Sequence, residues 1–295
     1  MRLGLATPVV LQVPGVASPW ERDADIADVA DIAETADALG FDYLTCAEHV
    51  AVPAADAAER GGTYWDPLAT LSFLAARTSR IRLATSVLVL GYHHPLAIAK
   101  RYGTLDRISA GRLVLGVGVG SLRAEFDLLG AEFTDRGERA DDALRALRAS
   151  LSQSRASYHG AHYRYDDLIV QPCARQQHVP IWVGGHTRRS LRRAVQLADG
   201  WMPFGLRATE ITRLLGSVAL PDGFEVVLST GRALDPDGDP QEARRVVRRL
   251  RHAGATAVTC VLAASSADHY RAQLAAMRAL ADDLDDAKGH GDDRS

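Results

Sequence analysis

Arg82-Leu83-Ala84-Thr85-Ser86-Val87-Leu88 is the clearest short apolar run of the chain, broken by two small hydroxyl residues. Its length and boundaries predict a buried strand. Outward from it the same kind of run recurs at Leu3–Ala6 and Tyr43–Cys46 on the N-terminal side. On the C-terminal side it returns at Leu113–Gly116, Ile181–Val183, Gly200–Pro203, Val226–Ser229 and Val258–Leu262. Helical spacing fills the intervals. Ile26, Val29, Ala30 and Ala33 fall at i, i+3, i+4 and i+7, and Ala140, Leu144, Leu147 and Leu151 mark another such face. Asp66-Pro67 and Asp239-Pro240 have the cap-then-proline chemistry of helix starts. Eight short strands, each followed by a helix, is the count of a (β/α)8 TIM barrel. Alternation does not reveal strand order, so an open doubly wound sheet is the alternative. The barrel is expected over residues 1–281, and the acidic stretch 282–295, which has no apolar face, reads as a solvated tail. Two long interruptions, residues 50–65 and 154–178, are expected as insertion loops shaping the mouth at the C-terminal face.

Bulk properties narrow the function. Of 295 residues 47% are hydrophobic, enough for a large core. A net charge of −3 provides no general attraction to nucleic acid or to an anionic membrane, and no apolar run reaches membrane length. The small-molecule class of partner remains. Pro8 and Pro14 interrupt the apolar start, which reads as a first strand rather than a signal peptide. Cys46, Cys173 and Cys260 are odd in number and lack paired spacing, which points to reduced thiols and a cytoplasmic protein.

Barrel chemistry sits where strands end, so those residues are the candidates. Strand two ends in Glu48-His49, an acid/base pair or a surface histidine bonded to a loop. Thr85 and Ser86 need partners for their hydroxyls, either neighbouring carbonyls or a ligand reached through a bulge. Gly116-Val117-Gly118-Val119-Gly120-Ser121 lacks the last glycine of a dinucleotide loop, and its glycines are better explained by a flat ligand approaching the backbone. Glu125, one turn further, is a candidate functional carboxylate, an outward-facing side chain on a helix being the commoner outcome. Gly184-Gly185-His186-Thr187 precedes a helix whose positive end favours a phosphate, with Arg188 or Arg189 nearby; a plain turn before a basic helix is the alternative. His93-His94 are adjacent and point apart, so no metal site is expected.

In chain order these stretches resemble the bacterial luciferase-like superfamily of flavin- and deazaflavin-dependent oxidoreductases. The matching segments are Glu48-His49, Asp66-Pro67, Arg80 to Val87, Pro95 to Lys100, Thr104-Leu105-Asp106 and Ser109-Ala110-Gly111-Arg112. Gly116 to Gly120, Arg136-Gly137, Pro180 to Gly185 and Asp199-Gly200-Trp201 complete the series. The resemblance implies that His49 faces the reactive centre of an isoalloxazine-type ring and that Glu48 contacts the cofactor. It implies a non-prolyl cis peptide at Ser86-Val87 against one ring face, with Val119 and Gly120 lining the ring. Gly184, Gly185 and His186 would hold the cofactor phosphate. The cofactor would be coenzyme F420, a deazaflavin, or FMN, and the chain a homodimer. Two departures matter: Ser121 stands where the sugar-phosphate dehydrogenases of the deazaflavin branch carry a catalytic glutamate, and the tryptophan often found soon after the strand-two histidine is missing.

The expectation is therefore hydride transfer or monooxygenation of a small organic molecule, with the deazaflavin favoured over an FMN-dependent monooxygenase proper. A flavin-binding barrel without catalysis is one rival, and a metal-dependent hydrolase built on His49, His93 and His94 is another.

Overall fold

Apolar runs become parallel strands. In the computed structural model, which describes residues 1–289, these are β1 Arg2–Ala6, β2 Tyr43–Cys46, β3 Arg82–Thr85, β4 Leu113–Gly118, β5 Ile181–Gly184, β6 Gly200–Met202, β7 Glu225–Leu234 and β8 Ala257–Leu262. Each pairs in parallel with the next. β1 also pairs with β8, Leu3 opposite Val258, while Ile181 and Val183 of β5 stand opposite Leu115 and Val117 of β4. The ring is closed, which excludes the open sheet. Around it run α1 Ile26–Ala38, α2 Pro67–Arg77, α3 Pro95–Ile108, α4 Arg136–Ser150, α5 Arg188–Leu197, α6 Ala208–Leu215, α7 Pro240–His252 and α8 Ala267–Gly289. The Asp66 carboxylate accepts from Ala69 N at 2.8 Å and Asp239 from Glu242 N at 3.0 Å, caps worth about 1 kcal/mol each. No helix among the described residues is long and apolar enough to cross a membrane.

Alternation along the strands sends Tyr43, Ala84, Val114, Trp182 and Val227 into the barrel, where they form a cluster of their own. Leu44, Leu83 and Ile181 face the helices. Tyr43 and Trp182 meet edge to face at 5.0 Å, and the Tyr43 hydroxyl lies 2.7 Å from Thr259 Oγ1. This plug fills the barrel interior. Beneath it, Arg2 Nη1 lies 2.9 Å from Glu225 Oε1 and Arg82 pairs with Asp42, closing the N-terminal end with charge.

Several segments that carry the family resemblance do their work at this lower end. Asp106, fully buried, accepts from Leu113 N, Arg175 N and Gln176 N at 3.3, 2.8 and 2.9 Å. Arg112 donates to the carbonyls of Ala75, Thr78, Ile81 and Ser109 within 3.1 Å. The Asp199 carboxylate accepts from Ile181 N at 2.7 Å and bonds His178. These residues splice helix ends to strand starts.

Three expectations need correction. The run from Arg82 to Leu88 is not one strand: β3 stops at Thr85, the Ser86-Val87 peptide is cis, and Leu88–Val89 pairs afresh with β4. Residues 154–178 do not reach the mouth. They form an antiparallel hairpin, Arg155–His159 with Arg164–Ile169, packed on α4 through Tyr165, whose hydroxyl lies 2.5 Å from Ser150 Oγ. That segment leaves a helix and enters a strand, so both its ends lie at the N-terminal end of the barrel, while its turn runs up along α4 and packs through Tyr163 on His94 at the start of α3. The stretch read as a tail is helical as far as Gly289, because Leu284 is buried and Asp282 and Asp283 pair with Arg278 and Arg244; residues 290–295 lie outside the described residues.

Gly116 stands where β4 passes β3. A Cβ there would overlap the Thr85 carbonyl oxygen and press Met202 Sδ at 3.1 Å. Backbone cannot swing aside, so Gly116→Ala is expected to lower stability by about 3 kcal/mol, read from the urea midpoint. Gly118→Ala, which meets only Val87 methyl carbon at 2.7 Å, should cost less.

Candidate active site

A cavity of about 820 Å³ opens at the C-terminal end of the strands, and every strand but β3 contributes to its wall, Ser86 and Val87 just past β3 taking that place. Glu48, His49, Ser86, Val87, Val119, Gly120, Gly184, Gly185 and His186 all line it. Its floor is set by the break in β3. Thr85 Oγ1 donates to Gly116 O at 2.6 Å, so that hydroxyl is satisfied within the sheet. Beyond the cis peptide the Val87 side chain turns inward as a ledge, and Cβ atoms placed on Gly118 and Gly184 would stand 2.7 and 2.8 Å from its methyl carbons. The glycines of β4 and β5 are thus spaces for Val87 as much as for a ligand.

Above the ledge, His49 is oriented by the candidate carboxylate, which does not face outward. Glu125, on the short helix Arg123–Leu128, is 1% exposed. Its carboxylate lies 2.7 Å from His49 Nδ1, accepts from the Tyr92 hydroxyl at 2.7 Å and from Ala51 N at 3.2 Å, and bonds Val50 N. Burial pushes its pKa up, but hydrogen bonds from Tyr92, His49 and Val50 outweigh this and hold it below the ordinary value. An ionised Glu125 only accepts, so His49 carries its proton on Nδ1 and presents Nε2 for exchange. Tyr64 packs edge-on against the imidazole at 4.5 Å. The spacing that betrays Glu125 was in the sequence: Leu122, Glu125 and Phe126 share one face, and both apolar partners are buried.

Glu48 has a different task. Its oxygens lie 2.6 Å from Val89 N and 2.7 Å from His93 Nε2, so it pins the chain just past the ledge rather than offering a free carboxylate. His94 accepts from Leu96 N at the start of α3. His49, His93 and His94 therefore have three separate partners and do not converge. Cys46, beneath them, has its thiol pushed up to about 12 by burial.

The two ends of the cavity differ. At one, Gly185 has φ +128° and a Cβ on it would fall 2.8 Å from Ser190 Cβ, so a close turn forces glycine here. Thr187 caps α5 by accepting from Ser190 N at 3.1 Å, and Trp201 Nε1 donates to Gly185 O at 3.1 Å. Arg136, stacked 3.9 Å from the Phe133 ring centroid, and buried Arg193, paired with Asp141, stand close by. A glycine turn, a helix N-terminus and fixed guanidiniums suit a phosphate. His186 is exposed and packs on Phe204 at 5.2 Å, placing it at the rim. At the other end Leu11, Val13 and Val16 from the loop after β1, with Tyr64, make an apolar wall that sequence reasoning did not single out. Pairing of Leu11 with Tyr64 fixes it.

A phosphate-bearing planar ring fits this layout: ledge below, His49 beside it, phosphate turn at the end. The family model for luciferase-like monooxygenases matches residues 1–293, and the chain belongs to that family. Members of the family are oxidoreductases, monooxygenases among them. An uncharacterized protein of Mycobacterium tuberculosis is 30% identical over 195 residues, 62% of this chain and 67% of the relative. The F420-dependent glucose-6-phosphate dehydrogenase of Microbacterium testaceum is 30% identical over 204 residues, 68% of this chain but 58% of that enzyme's length. Monooxygenase RslO1 from Streptomyces bottropensis shares the fold, with a TM-score of 0.77, 22% identity and coverage of 95% and 98% of the two chains.

The Glu125 carboxylate is open to test. Its folded pKa lies below the ordinary 4.5, so its stabilisation is complete above that pH and lost as pH falls through the folded value. Glu125→Gln is expected to cost about 1–3 kcal/mol at neutral pH by urea unfolding. The gap to wild type should narrow below about pH 4.5; a gap of constant size would mean that Glu125 is not ionised.

Proposed function

We propose that this chain is an oxidoreductase that binds a phosphorylated flavin-type coenzyme, F420 in preference to FMN, and uses it on a small organic substrate. One observation carries the reading: His49, held through Nδ1 by an ionised Glu125, shares a cavity with the Val87 ledge and the Gly185 phosphate turn. When bound, the reduced deazaflavin supplies a hydride, and FMN would supply oxygen chemistry instead. The protein's own part is positional and protonic. The Val87 ledge and the glycines around it support one ring face, and the α5 N-terminus with Arg136 and Arg193 holds the phosphate. His49 Nε2 delivers or removes the proton at the substrate, a role that contributes about 10²–10⁴ in rate. Glu125 keeps the ring in one tautomer and orientation.

The relative named for F420 supports the cofactor, and Ser121 argues against its substrate. Here the position after the β4 glycines has no carboxylate, and Glu125 is bonded to His49 rather than free. Leu11, Val13 and Val16 suit an apolar substrate better than a sugar phosphate. A binding protein without catalysis would need no oriented histidine, which disfavours that rival.

Fluorescence titration of the full chain with F420 and with FMN tests the reading, and saturable binding of F420 is expected. His49→Ala should bind the coenzyme within about threefold of wild type and slow turnover by about 10²–10⁴. Failure to bind either coenzyme, or unchanged turnover in the variant, would refute it.

A further inference from the structure

Beside the phosphate end lies a second cleft of about 280 Å³ between α4 and α5. Four arginines line it: Arg145 from α4, and Arg189, Arg192 and Arg193 from α5. Arg189 and Arg193 also line the main cavity, so the two spaces adjoin at the phosphate turn. The charges inside are unbalanced. Asp141, the one carboxylate in the wall, is taken by Arg193. Arg189 reaches Glu138 only at 3.9 Å with its side chain 65% exposed, and neither Arg145 nor Arg192 has a carboxylate partner among the described residues. Like charges gathered on facing helices repel. A solvated basic face would tolerate that cost, but a cleft opening from a phosphate site gives it a use.

We infer that this cleft binds a carboxylate-bearing chain that continues past the phosphate of the bound coenzyme. The inference rests on the F420 reading above and deepens it. FMN ends in a phosphate monoester and has nothing to place there. The phosphate of F420 is a diester that runs on through lactate into γ-linked glutamates, each with a free carboxylate. Guanidiniums without partners, arrayed beyond the phosphate turn, match that chemistry. They would favour the deazaflavin over the flavin without touching either ring.

The test measures binding, not turnover. The full-length chain is titrated, by fluorescence, with F420 forms carrying no glutamate, a short tail and a long tail, and with FMN as control. The dissociation constant should fall by about threefold for each carboxylate engaged, as expected for partly exposed ion pairs. That gain should vanish at about 1 M ionic strength, where charges are screened beyond about 3 Å. It should also vanish in the double variant Arg145→Gln/Arg192→Gln and persist in Arg145→Lys/Arg192→Lys. Both side chains are exposed and lie outside the main cavity, so the tail-less form and FMN should bind the variants as they bind wild type. Binding that ignores tail length, or a tail effect that survives the glutamine variant, overturns the cleft's role and leaves the coenzyme reading standing. Absence of any F420 binding overturns both.

Discussion

A strand that breaks inside a barrel needs a neighbour willing to make room. β3 breaks at Ser86-Val87, and the Val87 side chain occupies space that β4 and β5 leave at Gly118 and Gly184. Everything chemical about the cavity depends on that concession. It puts the Val87 side chain on the floor, while the Thr85 hydroxyl is bonded to Gly116 within the sheet. It also lets Leu88–Val89 rejoin the sheet, which brings Tyr92 and His93 to the rim. Bulk added at Gly118 or Gly184 would therefore press on Val87 and reshape the site from below.

Two buried carboxylates complete the framework, and they act in parallel. Glu48 reaches from the end of β2 to Val89 N and His93 beyond β3. Glu125 reaches back from beyond β4 to His49, Val50 and Ala51 after β2 and to Tyr92 after β3. Each crosses between loops that share no backbone pairing. Removing either leaves several donors buried without acceptors, which costs more than the net value of any one bond. The histidine is thus one component of a braced rim, and its orientation is a property of three loops together.

Much of the fold was legible, because a parallel barrel strand is buried on both faces and shows as a short apolar run. The runs at Tyr43–Cys46 and Ile181–Val183 coincide with strands to within a residue. The geometry of a peptide bond leaves no such trace, so the break after Thr85 came from resemblance and not from pattern. Glu125 is ambiguous in the sequence because a glutamate on a helix usually faces water, although Leu122 and Phe126 flank it on the buried face. Length alone puts residues 154–178 at the mouth, whereas connectivity starts and ends them at the bottom, because the segment follows a helix and leads into a strand. The arginines of α5 read as a basic helix, and only the fold shows α4 adding Arg145 across a gap.

The hairpin rooted at the lower end has a consequence for how such a molecule can vary. Its attachments are to α4, through Tyr158 with Asp142 and Tyr165 with Ser150, and to His94 at the start of α3, which packs on Tyr163 and Tyr165 at 5.5 and 6.1 Å; none of its residues borders the cavity. Replacement of its strands by longer or shorter ones, with those anchors kept, is a modular exchange invisible to the chemistry overhead. That flank of the barrel can acquire new surfaces without touching the cavity wall, provided its packing on His94 is kept.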